Sequence, residues 1–101
     1  MAKQFALGRI VATARVWELI DSNDTFSMFA TLCFSRYLQN DWGELDPEDW
    51  RMNDLAVENE DDRILASYQF PSEIKVEGEE KLWIITEWDR SVTTLLFPGD
   101  Y

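Results

Sequence analysis

A change of hydrophobic period at Arg63 constrains this chain more than any other feature. Before that point apolar residues recur at helical spacing; after it they alternate. Ile64, Ala66, Tyr68 and Phe70 alternate with Arg63, Leu65, Ser67 and Gln69, the pattern of a half-buried strand, and Pro71 closes it. Lys81 to Glu87 is β-branched and aromatic and apolar on both faces at its centre, which predicts an inner strand. Trp88-Asp89-Arg90-Ser91 makes a tight connection, and Val92 to Phe97 returns as a third strand before Pro98-Gly99. Between the first two strands, Ser72 to Glu80 is a charged excursion in which Ile74 and Val76 can extend a hairpin through Gly78.

The first sixty residues read differently. Ile10-Val11-Ala12 is a short apolar run that suits a strand, Thr13 is a candidate N-cap, and Ala14 to Ile20 reads as a short helix. Asp21 to Asp24 break it, because their side chains compete for nearby backbone hydrogen bonds. Asp24 is placed to cap a second helix from Thr25 to Leu38, with Phe26, Phe29, Ala30, Cys33 and Tyr37 on one face. Met28 and Leu32 widen that face and predict packing on two sides. After the turn Asn40-Asp41-Trp42-Gly43, Asp46 caps a third helix, Pro47 opens it, and Glu48 and Asp49 meet its positive end. Met52, Leu55, Ala56 and Asn59 define its expected apolar stripe, with Trp50 off it and Asn53 hydrogen-bonded to a neighbouring element. Four carboxylates at Glu58, Glu60, Asp61 and Asp62 oppose the negative end of the dipole and stop the helix near Asn59. Helices followed by a meander give an α+β class: N-terminal helices packed on a C-terminal three- to four-stranded antiparallel sheet, one domain over residues 1–101.

Composition narrows the function. At 101 residues and 46% apolar content, roughly two-thirds of the unfolded surface can be buried. There is no histidine, which excludes Ser-His-Asp and Cys-His catalysis and any imidazole zinc site. One cysteine, Cys33, excludes an intramolecular disulfide and fits a reducing compartment. A net charge of −11 argues against direct binding to nucleic acid or to an anionic membrane. No signal-peptide core and no run of about 18 apolar residues appear, so a cytoplasmic location is expected, with no cofactor and no metal.

The acids are unevenly placed. Ten of the twenty lie between Asp41 and Asp62 with Arg51 as the sole base, a local charge of −9. A helix of that length is about 20 Å long, and carboxylates at that density approach the charge spacing of one DNA strand, about one per 3.4 Å. Asp41, Glu44, Glu48, Asp49, Asp54, Glu58, Glu60, Asp61 and Asp62, with Trp42 and Trp50 as apolar anchors, therefore form a candidate surface for a basic protein partner. The plain alternative is a solvated acidic helix with both tryptophans in core or lid positions. A second polar cluster is Glu87, Asp89 and Arg90. Its carboxylates could hold a divalent cation or act as acid and base; more simply, Asp89 caps the turn and Arg90 neutralises Glu87. Cys33, beside Phe29 and Tyr37, reads as a core residue, although Arg36 stands three residues on.

The stretch Trp83-Ile84-Ile85-Thr86-Glu87-Trp88-Asp89-Arg90-Ser91-Val92-Thr93-Thr94, followed by Phe97-Pro98-Gly99-Asp100-Tyr101, resembles a family of small bacterial proteins carried on mobile elements, described as plasmid-related proteins. Leu7 to Thr13, Asp41-Trp42-Gly43 with Asn53-Asp54, and Arg63 to Tyr68 extend the likeness over most of the chain. The resemblance implies a shared fold and a mobile-element setting, with no activity attached. Such proteins often carry a histidine just before the Asp-Trp-Gly turn, where Tyr37 stands here; Trp50 and Trp88 replace smaller or polar residues, and Ser72 to Glu80 resembles an insertion. These departures favour binding over catalysis. The expected function is an acidic module that occludes the basic groove of a nucleic-acid-handling protein such as a restriction or CRISPR-type nuclease. The rivals are a metal-assisted enzyme built on Glu87, Asp89 and Arg90, and an oligomerising protein with Trp17, Trp83 or Trp88 at a self-interface.

Overall fold

The computed structural model describes residues 3–101. Its elements are β1 (Arg9–Ala12), α1 (Ala14–Ser22), α2 (Asp24–Leu38), α3 (Pro47–Asn59), β2 (Ile64–Gln69), β3 (Lys81–Thr86) and β4 (Val92–Leu96), followed by a 3-10 turn over Pro98–Asp100. The architecture is α+β, with one four-stranded sheet in the order β1-β4-β3-β2. β2, β3 and β4 form the expected antiparallel meander, Ile64 opposite Thr86 and Ile84 opposite Leu95. The fourth strand is β1 rather than a hairpin in 72–80, which contributes a single bridge between Val76 and Glu79. β1 lies parallel to β4, with Ile10 beside Thr93, so the sheet is mixed and not wholly antiparallel. That direction carries the chain through Thr13 directly into α1, which packs on α2 and β4.

Strand alternation sends Ile64, Ala66, Tyr68, Leu82, Ile84, Leu95 and Phe97 to the helix-covered side, where all are buried. They meet Val16, Phe26, Ala30, Cys33, Tyr37, Ala56 and Val57 in one contiguous core. Each large apolar side chain buried there stabilises the fold by about 1.5–3 kcal/mol. A line of hydroxyls crosses this core. The Thr93 hydroxyl donates to the Leu7 carbonyl at 2.7 Å, so its one proton is used. Thr86 must then donate to Thr93, and Tyr37 to Thr86, both at 2.7 Å. Burial pushes the Tyr37 phenol well above its ordinary range, so it stays a neutral donor. Tyr37 thereby links α2 to β3, β4 and the segment before β1.

Three local expectations are corrected. The cap of α2 is Asn23, whose side chain accepts from the Phe26 N–H at 3.0 Å, and Asp24 is the first helical residue. Met28 and Leu32 are exposed, because α2 turns another face to the sheet and to α1 and leaves these two residues outward. On α3 the buried stripe is Asn53, Ala56 and Val57 with Trp50 packed against the core, while Met52, Leu55 and Asn59 face outward. The helix is phased by a polar residue. The Asn53 amide donates to the Leu65 carbonyl at 2.7 Å and accepts from the Leu65 N–H at 3.3 Å, as a neighbouring strand would.

That pairing belongs to a continuous seal along the outer edge of β2. The next outward-facing residue, Ser67, bonds the Trp42 carbonyl at 3.0 Å and the Glu44 N–H at 2.7 Å. The Gln69 N–H then donates to the Glu44 carboxylate at 3.0 Å. Gly43 is required at this crossing: its φ is 80°, and a Cβ there would collide with the Ser67 carbonyl.

Candidate functional site

The acidic stretch divides in two. In its first part most acids are committed to the fold. Asp41 binds the Arg36 guanidinium at 2.8 and 3.1 Å and also accepts from the Gly43 N–H. Arg36 and these hydrogen bonds hold the Asp41 carboxyl below its ordinary pKa. Glu44 stands 3.6 Å from the same guanidinium besides sealing Gln69. Asp46 caps α3 by accepting from the Asp49 N–H at 2.9 Å, as its sequence position predicts. Asp54 accepts the indole N–H of Trp42 at 2.9 Å. Glu48 and Asp49 are exposed on the first turn of α3, where the helix dipole favours them.

Trp42 is not a surface anchor. It is 0% exposed, edge-on to Tyr37 at 5.4 Å and tilted against Phe5 at 5.9 Å. Its single polar atom is satisfied by Asp54, which is what a buried indole needs. Trp50 is half-buried against the core beside Leu45, so it too is chiefly a packing residue.

The second part is different. Glu58, Glu60, Asp61 and Asp62 are all exposed around the end of α3. Among the described residues their ion pairing is confined to Glu58, which meets Lys3 at 3.6 Å in solvent. Such a contact contributes well under 1 kcal/mol. Glu60 terminates the helix in the left-handed region at φ 56° and bonds back to the Ala56 carbonyl at 2.9 Å.

Arg90 explains why the chain tolerates this crowding. It does not pair with the Glu87 carboxylate. Its Nη2 donates to the Ala56 carbonyl at 2.8 Å, and Nη1 to the carbonyls of Asp62 at 2.6 Å, Glu87 at 3.2 Å and Trp88 at 3.3 Å. The guanidinium thus supplies donors and positive charge at the negative end of α3 while clasping the β3–β4 turn. One nitrogen lies within 3.3 Å of carbonyls from both segments, so residues 58–62 and 87–89 form one surface. On its β3–β4 side Trp88 is 65% exposed.

Asp89 shapes the turn by accepting from the Ser91 N–H at 3.0 Å. Those bonds to Ser91 hold its pKa below the ordinary value. Among the described residues no three His, Cys, Asp or Glu side chains gather closely enough to share a cation. Cys33 is buried, and burial pushes its thiol up to about 12, the opposite of an activated nucleophile. No helix among the described residues is long and apolar enough to cross a membrane.

Of the expected site residues, Glu58, Glu60, Asp61 and Asp62 at the end of α3 and Glu87 and Asp89 on the Trp88 turn lie on two segments that Arg90 joins. Asp41, Trp42, Glu44 and Asp54 are drawn into the fold, and Glu48, Asp49 and Trp50 lie on the first turn of α3, away from this cap. The sequence offers no direct signal for the junction, because the link runs from an arginine side chain to distant backbone carbonyls. No protein-family model matches the chain, and no curated protein and no solved structure matches it either.

Proposed function

We propose that this protein is a non-enzymatic binding module that engages a basic protein surface through the acidic cap formed by the end of α3 and the β3–β4 turn. The observation that carries the reading is Trp88, 65% exposed on the β3–β4 turn between Glu87 and Asp89, on a turn that Arg90 ties to the end of α3, where Glu58, Glu60, Asp61 and Asp62 are exposed. A large exposed aromatic supplies apolar contact, and exposed acids on the same surface steer and select a Lys/Arg-rich partner. Occlusion is the mechanism: carboxylates take the place of phosphates in a nucleic-acid-binding groove. A mobile-element setting, implied by the resemblance of residues 83–94 to plasmid-related proteins, supports choosing the partner from host enzymes that handle foreign nucleic acid, such as restriction or CRISPR-type nucleases. The buried free thiol suits the reducing cytoplasm where such enzymes work.

The test is affinity capture from a bacterial host lysate across a salt series, followed by mass spectrometry. Captured nucleic-acid-handling proteins should dissociate steeply between low and moderate salt, since exposed charges are screened over about 8–10 Å. They should be lost with Trp88→Ala and with the combined neutralisation of Glu58, Glu60, Asp61 and Asp62. Capture indifferent to both salt and these substitutions contradicts the reading.

A further inference from the structure

The charged excursion between β2 and β3, residues 71–80, is fastened to the molecule at one point. At its base the Phe70 N–H donates to the Glu80 carbonyl at 2.9 Å. Within it, the Ile74 N–H donates to the Pro71 carbonyl at 3.1 Å and the Glu79 N–H to the Val76 carbonyl at 3.0 Å. Among the described residues, every other hydrogen bond from this strap to the rest of the chain leaves from Glu77 or Glu79 and ends on Arg15 or Gly99. Arg15 Nη1 donates to the Glu79 carboxylate at 2.9 Å and to Asp100 at 3.1 Å, and Nη2 to the Glu77 carbonyl at 3.3 Å. The other Glu79 oxygen accepts from the Gly99 N–H at 3.3 Å. One guanidinium at the start of α1 thus serves two carboxylates whose side chains are 5% and 11% exposed. Charge opposes this closure. Ser72 to Glu80 carry four carboxylates and the single cation Lys75, on a chain of net charge −11. Among the described residues Arg15 is the one cation that pairs with the strap.

We propose that residues 71–80 form a strap latched by Arg15, which opens as one unit above the Phe70–Glu80 bond while the helices and the sheet stay folded. A segment with few backbone bonds to its surroundings opens at a lower free energy than the core it covers. Here the neighbouring β2 and β3 are joined by a full ladder from Ile64–Thr86 to Gln69–Lys81, whereas the strap hangs on side-chain bonds at one end. Gly99 is fitted to the latch, because a Cβ there would collide with the Glu79 carboxylate. What the strap covers is apolar. Ile74 is buried beneath it and Val76 packs against the core. Phe70, at its base, stands edge-on to Phe26, Phe29 and Phe97. Pro71, Glu73 and Ile74 also line an apolar groove of about 650 Å³ together with Met28, Phe29 and Leu32 of α2. Releasing the latch removes the strap's side of that groove, so Arg15 sets how much apolar surface is open beside α2.

Native-state hydrogen exchange tests this on the wild type and two variants. Arg15→Leu removes the latch but keeps an apolar group over the Phe97 ring, which the guanidinium now covers at 5.1 Å. Gly99→Ala pushes the Glu79 carboxylate aside and leaves every charge in place. In the wild type the Ile74, Glu79 and Gly99 amides should exchange through one shared opening, at a lower free energy than the Ile84 amide in the central strand β3. Each variant should speed that opening about ten-fold, as expected for the loss of a charge-assisted hydrogen bond, and shift Ile84 less. Three amides that open only together with Ile84, or through three unrelated openings, overturn the proposal on the wild type alone. So do strap amides that either folded variant leaves unmoved or shifts no more than Ile84.

Discussion

The two halves of the acidic stretch show how little a charge run says until its partners are known. In the half before Asn53, three of the five carboxylates are joined to the fold, Asp41 and Glu44 to Arg36, Asp46 to the start of α3 and Glu44 also to the edge of β2, while Glu48 and Asp49 stay exposed on the first turn of α3. Asp54, one residue on, belongs with them through the Trp42 indole. In the half after it, among the described residues, the side-chain bonds of Glu58, Glu60, Asp61 and Asp62 are limited to Glu58 with Lys3 and Asp62 with the Arg63 N–H, and the chain uses Arg90 to steady the helix end they crowd. The first group is structural and the second is available. Substitutions in the first should therefore change stability with little direct effect on binding, and substitutions in the second should do the reverse.

The largest effect expected is at Trp42. Removing this buried indole with Trp42→Ala should cost about 3–5 kcal/mol, read as a fall in the denaturant midpoint. Asn53→Ala comes next, at about 1–3 kcal/mol, because it strips both backbone groups of Leu65 of their partners. Arg90→Lys should cost about 1–2 kcal/mol, since an ammonium cannot span the carbonyls of Ala56 and Asp62 together. It should also weaken partner capture while leaving every carboxylate in place, a split that a simple sum of charges does not give.

Acid sensitivity belongs to the first region. Asp41 is held low chiefly by its hydrogen bonds to Arg36. For Asp100, burial works the other way, but Thr13, the Phe97 N–H and Arg15 together outweigh it and lower its pKa. A carboxylate with a lowered native pKa contributes stability that is fully present above its unfolded value of about 4 and is lost as pH falls through the native value. Thermal scans below pH 4 should therefore show a falling melting point, and the combined Asp41→Asn and Asp100→Asn variant should lose part of that slope. The smallest effect, of opposite sign, is at Glu60. A left-handed residue at a helix end suits glycine, so Glu60→Gly should stabilise by up to about 1 kcal/mol while weakening capture.

Much of the fold was legible before any coordinates. The change of period at Arg63, the Asp46-Pro47 start of α3 and its end at Asn59 are local signals, and local physics decides them. The phase of α3 was hidden because its inner stripe is set by Asn53, a polar residue whose partner lies on another element. Trp42 was misread as an anchor because its neighbours in sequence are acids, whereas its neighbours in space are Tyr37 and Phe5. The parallel placement of β1 depends on a pairing some eighty residues away, beyond any window of periodicity. For the candidate site, the carboxylates themselves were legible. Their union with Trp88 was not, since Arg90 makes it through backbone carbonyls that carry no mark in the sequence.

The most direct measurement compares capture of host proteins by three forms of the chain at low salt: wild type, a variant with Glu58, Glu60, Asp61 and Asp62 neutralised, and one with Glu48 and Asp49 neutralised. Loss of the salt-sensitive partner with the first variant, and its retention with the second, is the outcome expected if the acidic cap around Trp88 is the binding surface. Equal retention by both, or loss with the second alone, would contradict it.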